Sequence, residues 1–433
     1  MQWSEVLAAL LVGLVFALAP FVSNQLIGVL LFAGAVFWLL LTLSDVVGSQ
    51  TVAPTLTPIH LVILLYWGIA TVATALSPVK TAALSGWMKL TLYLFMFALA
   101  ARILRSPRIR SWLIAIYLHV ALIVSIYGLQ QWFYGANALA TWVDPESTMT
   151  KTTRVYSYLG NPNLLAGYLI PAVVLSLVAV FAWQRWMPKA LALTMFFVNT
   201  ACLVLTFSRG GWIGLLVALF ALLLLLAYQM SVHLPPFWRT WSLPILLSSM
   251  SLVLVLAVLF VEPIRDRFFS IFAGRGDSSN NFRINVWAAV IEMIKDRPFL
   301  GIGPGNTAFN KIYPLYQRPR YNALSAYSFL LEVAVETGLI GLACFAWLLI
   351  VTFNTALVQL RRLRQVGSRE ALWLIGAIAS LLGILAHNTF DTVLYRPEIN
   401  TLWWLMMATV ASYYSTSTTT ADTERSYSFT QSA

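Results

Sequence analysis

Several residues with chemical potential stand where apolar runs of this chain give way to polar ones. Arg154 precedes Tyr158-Leu159-Gly160-Asn161-Pro162-Asn163, and Arg209 sits between two apolar runs in Phe207-Ser208-Arg209-Gly210-Gly211-Trp212. Arg283 lies in a polar stretch, and Tyr327, Glu332 and Glu336 open a further apolar run. His387, Asp391 and Arg396 border the last two. A guanidinium is a planar fork of donors that grips phosphate or carboxylate bidentately and keeps its proton. Several arginines on one side would form a shared anion site, with Asn163, Asp391 and Arg396 as further ligand-binding candidates. Singly, each of these residues can instead cap a helix or snorkel to an interface.

Other chemistries have little support. His60, His119, His233 and His387 lack metal-ligand spacing, so no metal site and no cofactor are expected. No G-x-S-x-G elbow occurs. Cys202 and Cys344 sit inside apolar runs and read as buried spectators. Gly301-Ile302-Gly303-Pro304-Gly305-Asn306 resembles a phosphate-cradling loop. No strand precedes it, no Lys-Ser/Thr follows, and Pro304 removes a donor, so it reads as a turn.

The elements that position these residues follow from composition. Of 433 residues, 60% are hydrophobic and only 10% charged, where a soluble domain carries about 25% charged. So few charges cannot clothe a water-facing surface, so lipid is the expected solvent. The fold expected is an all-α polytopic membrane bundle of about twelve spans: 5–22, 25–44, 58–76, 85–103, 112–133, 164–183, 188–207, 210–229, 243–261, 328–353, 370–390 and 398–414. Together 1–414 form a single transmembrane domain. The start Met1-Gln2-Trp3-Ser4-Glu5 lacks the positive region of a cleaved signal.

Net charge is +11, from 27 Lys+Arg against 16 Asp+Glu. The positive charges crowd short connections: Arg102, Arg105, Arg108 and Arg110; Arg185 and Lys189; Arg361, Arg362, Arg364 and Arg369. With twelve spans these three connections share one side, which predicts a cytoplasmic side holding both termini. The charge is thus topological, and nucleic acid is not an expected partner. Two longer loops, 134–163 and 262–327, fall outside. In the second, residues 281–294 predict an amphipathic helix with apolar positions 282, 286, 287, 290, 291 and 294. A second short helix at about 306–315 is expected on the membrane surface. The Ser/Thr-rich tail 415–433 is expected to be a disordered cytoplasmic segment.

Five stretches resemble the O-antigen ligase and polymerase superfamily. They are Phe207 to Trp212, Arg154 with Gly160-Asn161-Pro162-Asn163-Leu164-Leu165-Ala166, Arg283 with Trp287, Gly301 to Gly305, and Glu332 with Glu336-Thr337-Gly338-Leu339-Ile340-Gly341. The resemblance puts the ligase-related region at about 190–350. More narrowly, Asp277-Ser278-Ser279-Asn280-Asn281-Phe282-Arg283-Ile284-Asn285-Val286-Trp287, Leu324 to Ser328 and Phe390-Asp391-Thr392-Val393-Leu394-Tyr395-Arg396-Pro397-Glu398 resemble the cyanobacterial IctB family.

The narrow resemblance implies a multi-pass protein of the bacterial inner membrane that takes up inorganic carbon as bicarbonate. The broad one implies a metal-independent glycosyltransferase using a polyprenyl-pyrophosphate-linked glycan, with Arg154, Arg209 and Arg283 holding the donor phosphates. The ligases take the acceptor's proton with a histidine nine residues before the glutamate that matches Glu336. Here that position is Tyr327. A phenol with an ordinary pKa near 10 is a weak base at neutral pH. Glu332, Glu336 or His387 are the expected replacements. A third reading is a non-catalytic binder of membrane lipid. Partners are thus lipid and either a polyprenyl-linked glycan or bicarbonate; protein partners are not legible.

Overall fold

The computed structural model describes residues 3–47, 56–135, 153–231, 235–269 and 274–415. The tail from 416 and residues 136–152 of the first long loop lie outside them. Helices run in the order α1 (Trp3–Leu18), α2 (Asn24–Val47), α3 (Pro58–Ala75), α4 (Lys80–Ile103), α5 (Pro107–Tyr134), α6 (Pro162–Ala182), α7 (Trp186–Leu205), α8 (Arg209–Met230) and α9 (Pro236–Phe260). Then come α10 (Glu262–Phe269), α11 (Ser278–Asp296), α12 (Asn306–Ile312), α13 (Phe329–Gln365), α14 (Ala371–Asn388) and α15 (Pro397–Ser412). The described residues contain no strand. Each of the twelve apolar runs holds a helix. Among the described residues, nine helices are long and apolar enough to cross a membrane. The chain is an all-α polytopic membrane bundle. The first helix has only 16 residues.

The centre of the bundle is α6, α8 and α14. In lipid, helices are held by close packing more than by exclusion of water, so small residues mark the tight contacts. A Cβ on Gly214 would stand 2.7 Å from the Gly383 carbonyl oxygen, and one on Gly383 would stand 2.9 Å from that of Gly214. The backbones of α8 and α14 therefore touch.

One end of the bundle is tied by arginines. Arg110, 2% exposed, pairs with Glu370 and lies 4.0 Å from the Tyr413 ring centroid. Arg362 donates to the Tyr413 carbonyl at 3.2 Å, Arg364 donates to Ser231 at 2.8 Å, and Arg102 pairs with Asp45 at 2.5 Å. These side chains act as tethers as well as carrying charge.

The large loop folds onto the other end. Asp277 caps α11, accepting from Asn280 N at 2.9 Å. The buried face of α11 is Asn285, Val286, Ala289, Val290 and Met293. Ile291, expected on that face, is exposed, because packing against α13 sets the stripe one position earlier. Helix α12, expected at the membrane surface, is packed on the bundle: Ala308 is buried against Ala82 and Ala83 of α4. Helix α13 is two helices joined at Gly338, whose φ of 70° and ψ of −175° break the ladder. The glycine-rich turn fills that break. Ile302 N donates to Val335 O and Gly303 N to Glu336 O, both at 2.9 Å. Amides that a phosphate loop would offer are thus spent on α13.

Candidate functional site

The arginine cavity is assembled from helix ends. Asn161 caps α6, accepting from Asn163 N at 2.8 Å, with Pro162 in the first turn. That cap orients Asn163. Its Oδ1 accepts from Arg154 Nη2 at 3.2 Å and its Nδ2 donates to Asp391 Oδ2 at 2.8 Å. Arg154 is also held through Nε by the Thr206 carbonyl at 3.0 Å. The chain turns from α7 into α8 at Phe207, whose φ is +50°, and Ser208 then caps α8 through Gly211 N at 3.2 Å. Arg209 follows and donates to Asp277 Oδ1 at 3.0 Å, so the α11 cap doubles as its counter-charge. Arg283 donates to Ser279 Oγ at 2.7 Å and stands 3.7 Å from Asp391 Oδ2. Its Nε is buried without a hydrogen-bond partner among the described residues.

Arg154, Asn163, Arg209, Arg283 and Asp391 therefore line one cavity of about 290 Å3, together with Ser279 and Trp287. Three guanidiniums face two carboxylates, Asp277 and Asp391, and the amino-terminal ends of α6 and α8 add partial positive charge. The excess is felt: burial, then the nearby Arg209 and Arg283, pull Arg154 down to about 10, with Asp391 opposing. An anion entering here would relieve that repulsion.

The remaining candidates are placed elsewhere. Arg396 does not line the cavity; it is half-exposed and 3.6 Å from Glu398. His387 is fully buried between Gly167 and Gly210, both ring nitrogens lacking a hydrogen-bond partner among the described residues, and it does not line the cavity either. Tyr327 adopts φ +50°, stacks edge-on against Phe282 at 5.3 Å, and accepts from Trp287 Nε1 through its carbonyl at 3.4 Å. Burial and the Asp391 carboxylate raise its phenol above the ordinary value, Arg283 opposing.

Among the described residues no arginine forms a salt bridge with Glu332 or Glu336, and neither glutamate lines the arginine cavity. Glu332 accepts from Ala326 N, pinning the residue before Tyr327, while its other oxygen is buried without a hydrogen-bond partner among the described residues. Glu336 accepts from Gly305 N and from the Tyr395 hydroxyl, each at 2.6 Å. Both carboxylates thus fasten loops to α13.

Sequence reasoning gave no site role to Asp277 or Ser279, and read Trp287 as part of the apolar face of the loop helix. The signal for Asp277 was present: an Asp three residues before Asn280, ahead of an amphipathic run, marks a helix start. Among the described residues no group of three His, Cys, Asp or Glu side chains could hold a metal ion.

No curated protein matches the chain. Residues 190–346 match the O-antigen ligase family model, a segment that carries Arg209, Arg283, Tyr327, Glu332 and Glu336 and leaves Arg154, Asn163 and Asp391 outside.

Proposed function

We propose that this protein transfers a glycan from a polyprenyl-pyrophosphate donor at the outer face of the bacterial inner membrane. The observation that carries the reading is the convergence of Arg154, Arg209 and Arg283 on one cavity. At about 30 Å3 per water, 290 Å3 holds on the order of ten waters, more room than one small anion needs. The match of 190–346 to the O-antigen ligase family supports the same chemistry. In this reading the three arginines take the donor pyrophosphate. An acceptor hydroxyl attacks the anomeric carbon, the bond from that carbon to the phosphate oxygen breaks, and polyprenyl pyrophosphate departs. The arginines neutralise its charge as it forms. Asp391, the carboxylate lining the cavity, receives the acceptor's proton. Both termini are cytoplasmic, a placement supported by the arginine-tethered connections gathered at the opposite end of the bundle.

A second reading, bicarbonate carriage, is favoured by one observation: the expected base position holds Tyr327, whose phenol stays protonated at neutral pH. Against it, the α8 and α14 backbones meet at Gly214, one turn beyond the cavity residue Gly210, and His387 fills the space between them. The test is a labelled polyprenyl-pyrophosphate glycan supplied to purified protein in nanodiscs. Transfer that Arg209→Gln abolishes supports the proposal. No transfer, alongside arginine-dependent bicarbonate flux in proteoliposomes, would leave the carrier reading in its place.

A further inference from the structure

A second cavity, of about 120 Å3, lies at the same end of the bundle and shares no lining residue with the arginine cavity. Its walls come from α4, α13, α15 and the turn at Pro304-Gly305. Its lining runs from the exposed Lys89, Asn306 and Thr307 to the buried Glu336, so it opens outward between α4 and the start of α12. Glu336 fastens two of its walls by bridging Gly305 N and the Tyr395 hydroxyl.

We infer that this cavity takes the headgroup of a phosphatidylethanolamine lipid, the primary ammonium inside near Glu336 and the phosphate outside at Lys89. Three observations converge. First, the buried end of the lining holds a carboxylate that lacks a counter-charge. Glu336 is 4% exposed and forms no salt bridge among the described residues. Each of its oxygens accepts one hydrogen bond, and a carboxylate has room for about four. An ammonium brings both the donors and the missing charge. Second, aromatic side chains supply much of the wall, among them Tyr66, Tyr93, Phe329 and Trp404. A ring quadrupole attracts a cation. Third, Lys89 stands in a membrane-spanning helix, exposed and without a salt bridge among the described residues. A charge there is costly unless it is paired, and a lysine stem is long enough to carry its ammonium toward lipid phosphates. Lys89 and Glu336 are the charged residues of the lining. A headgroup with both charges answers both side chains, whereas a purely anionic or purely cationic ligand is opposed by one of them.

Size selects among headgroups. A cavity of about 150 Å3 is known to admit benzene. An ammonioethyl group has half as many heavy atoms as benzene and fits the smaller space. Its trimethylated choline counterpart has as many as benzene and does not. A glycerol headgroup fits less well by charge, because it brings nothing to Glu336. The inference does not rest on the glycan-transfer reading, since none of the arginine-cavity residues takes part.

The experiment is native mass spectrometry of the full chain released from nanodiscs of phosphatidylethanolamine, phosphatidylcholine and phosphatidylglycerol in equal parts. Phosphatidylethanolamine should be retained at least fivefold over each of the others. Glu336→Gln should erase the preference over phosphatidylglycerol, Lys89→Met should cut phosphatidylethanolamine retention at least threefold, and Arg209→Gln should change neither. Soluble phosphoethanolamine should displace the lipid. If Glu336→Gln does not fold, Lys89→Met and the ethanolamine-to-choline ratio decide. Equal retention of the three lipids overturns the inference. So does a preference that survives both Glu336→Gln and Lys89→Met, or one lost in Arg209→Gln, which would place the lipid at the arginine cavity. Displacement by farnesol and not by phosphoethanolamine would mark a tail pocket and overturn it as well. Phosphoethanolamine binding, measured by calorimetry, to a protein that retains no lipid would make the ligand a soluble amine and overturn the lipid assignment. Pyrophosphate titration reports separately on the arginine cavity. Its failure would count against the transferase reading and leave the lipid result standing.

Discussion

Arg283 Nη2 stands 3.7 Å from Asp391 Oδ2 and joins the helix of the large loop to the end of α14. The pair is close enough to hold the loop over the cavity and too long for a good hydrogen bond. An anion can therefore compete for Arg283 without first breaking a tight pair.

That competition makes Arg154→Gln informative. In the empty protein Arg154 sits at about 10, pulled below its ordinary value by burial and by two neighbouring guanidiniums. A depressed basic group is disfavoured in the folded state, and its cost fades as pH rises through 10 toward the unfolded value. Removing the charge should leave the unfolding temperature of the empty protein unchanged or higher. Pyrophosphate should bind at least tenfold more weakly, the scale of about 1.5–3 kcal/mol for a hydrogen bond to a charged group. Calorimetry with and without pyrophosphate checks both halves. A large loss of stability with unchanged affinity would make Arg154 a scaffold residue.

Tyr327 and Asp391 divide the base question. Burial and Asp391 keep the Tyr327 phenol protonated past pH 10. Tyr327→Phe should leave the pH profile of transfer unchanged below pH 9, and Asp391→Asn should lower turnover by 100-fold or more. Tyr327→His should introduce a new limb near pH 6.5, the ordinary histidine value. A Tyr327→Phe variant without turnover would reverse the assignment.

The loop is latched at Gly338. Its φ of 70° suits glycine, and a Cβ there would overlap the Phe299 carbonyl. Gly338→Ala should therefore free the 299–305 turn, at a cost of more than about 1 kcal/mol from backbone strain alone. Glu336→Ala should do likewise by orphaning Gly305 N and the Tyr395 hydroxyl. Hydrogen exchange should rise in residues 299–305 in both variants, with the α6–α8–α14 centre unchanged. Uniform exchange across the chain would argue that these residues stabilise the whole bundle instead.

Orientation is tested by labelling single cysteines from the periplasm. A cysteine at Gly276 should react and one at Arg108 should not. The reverse pattern would place the arginine cavity on the cytoplasmic side.

Composition and apolar run length were enough to give the architecture: a chain with 60% hydrophobic residues must satisfy its backbone internally once lipid surrounds it, and apolar runs of about 20 residues suit helices, where a barrel strand needs only about ten. The arginines were legible for the same reason: a charge at the end of an apolar run stands out. Their partners were not. That Arg209 meets Asp277, 68 residues away, and Asn163 meets Asp391, 228 away, depends on which helix ends adjoin. Local pattern carries no such information. His387 and the two glutamates show the converse. By type and position they looked like bases, yet packing turned His387 into a glycine-lined slot and spent the glutamates on the loop amides of Gly305 and Ala326. The sequence alone determined which residues are polar at the membrane's edge; only the tertiary structure decided which of them face open space, because burial and hydrogen-bond satisfaction are properties of neighbours brought in from distant parts of the chain.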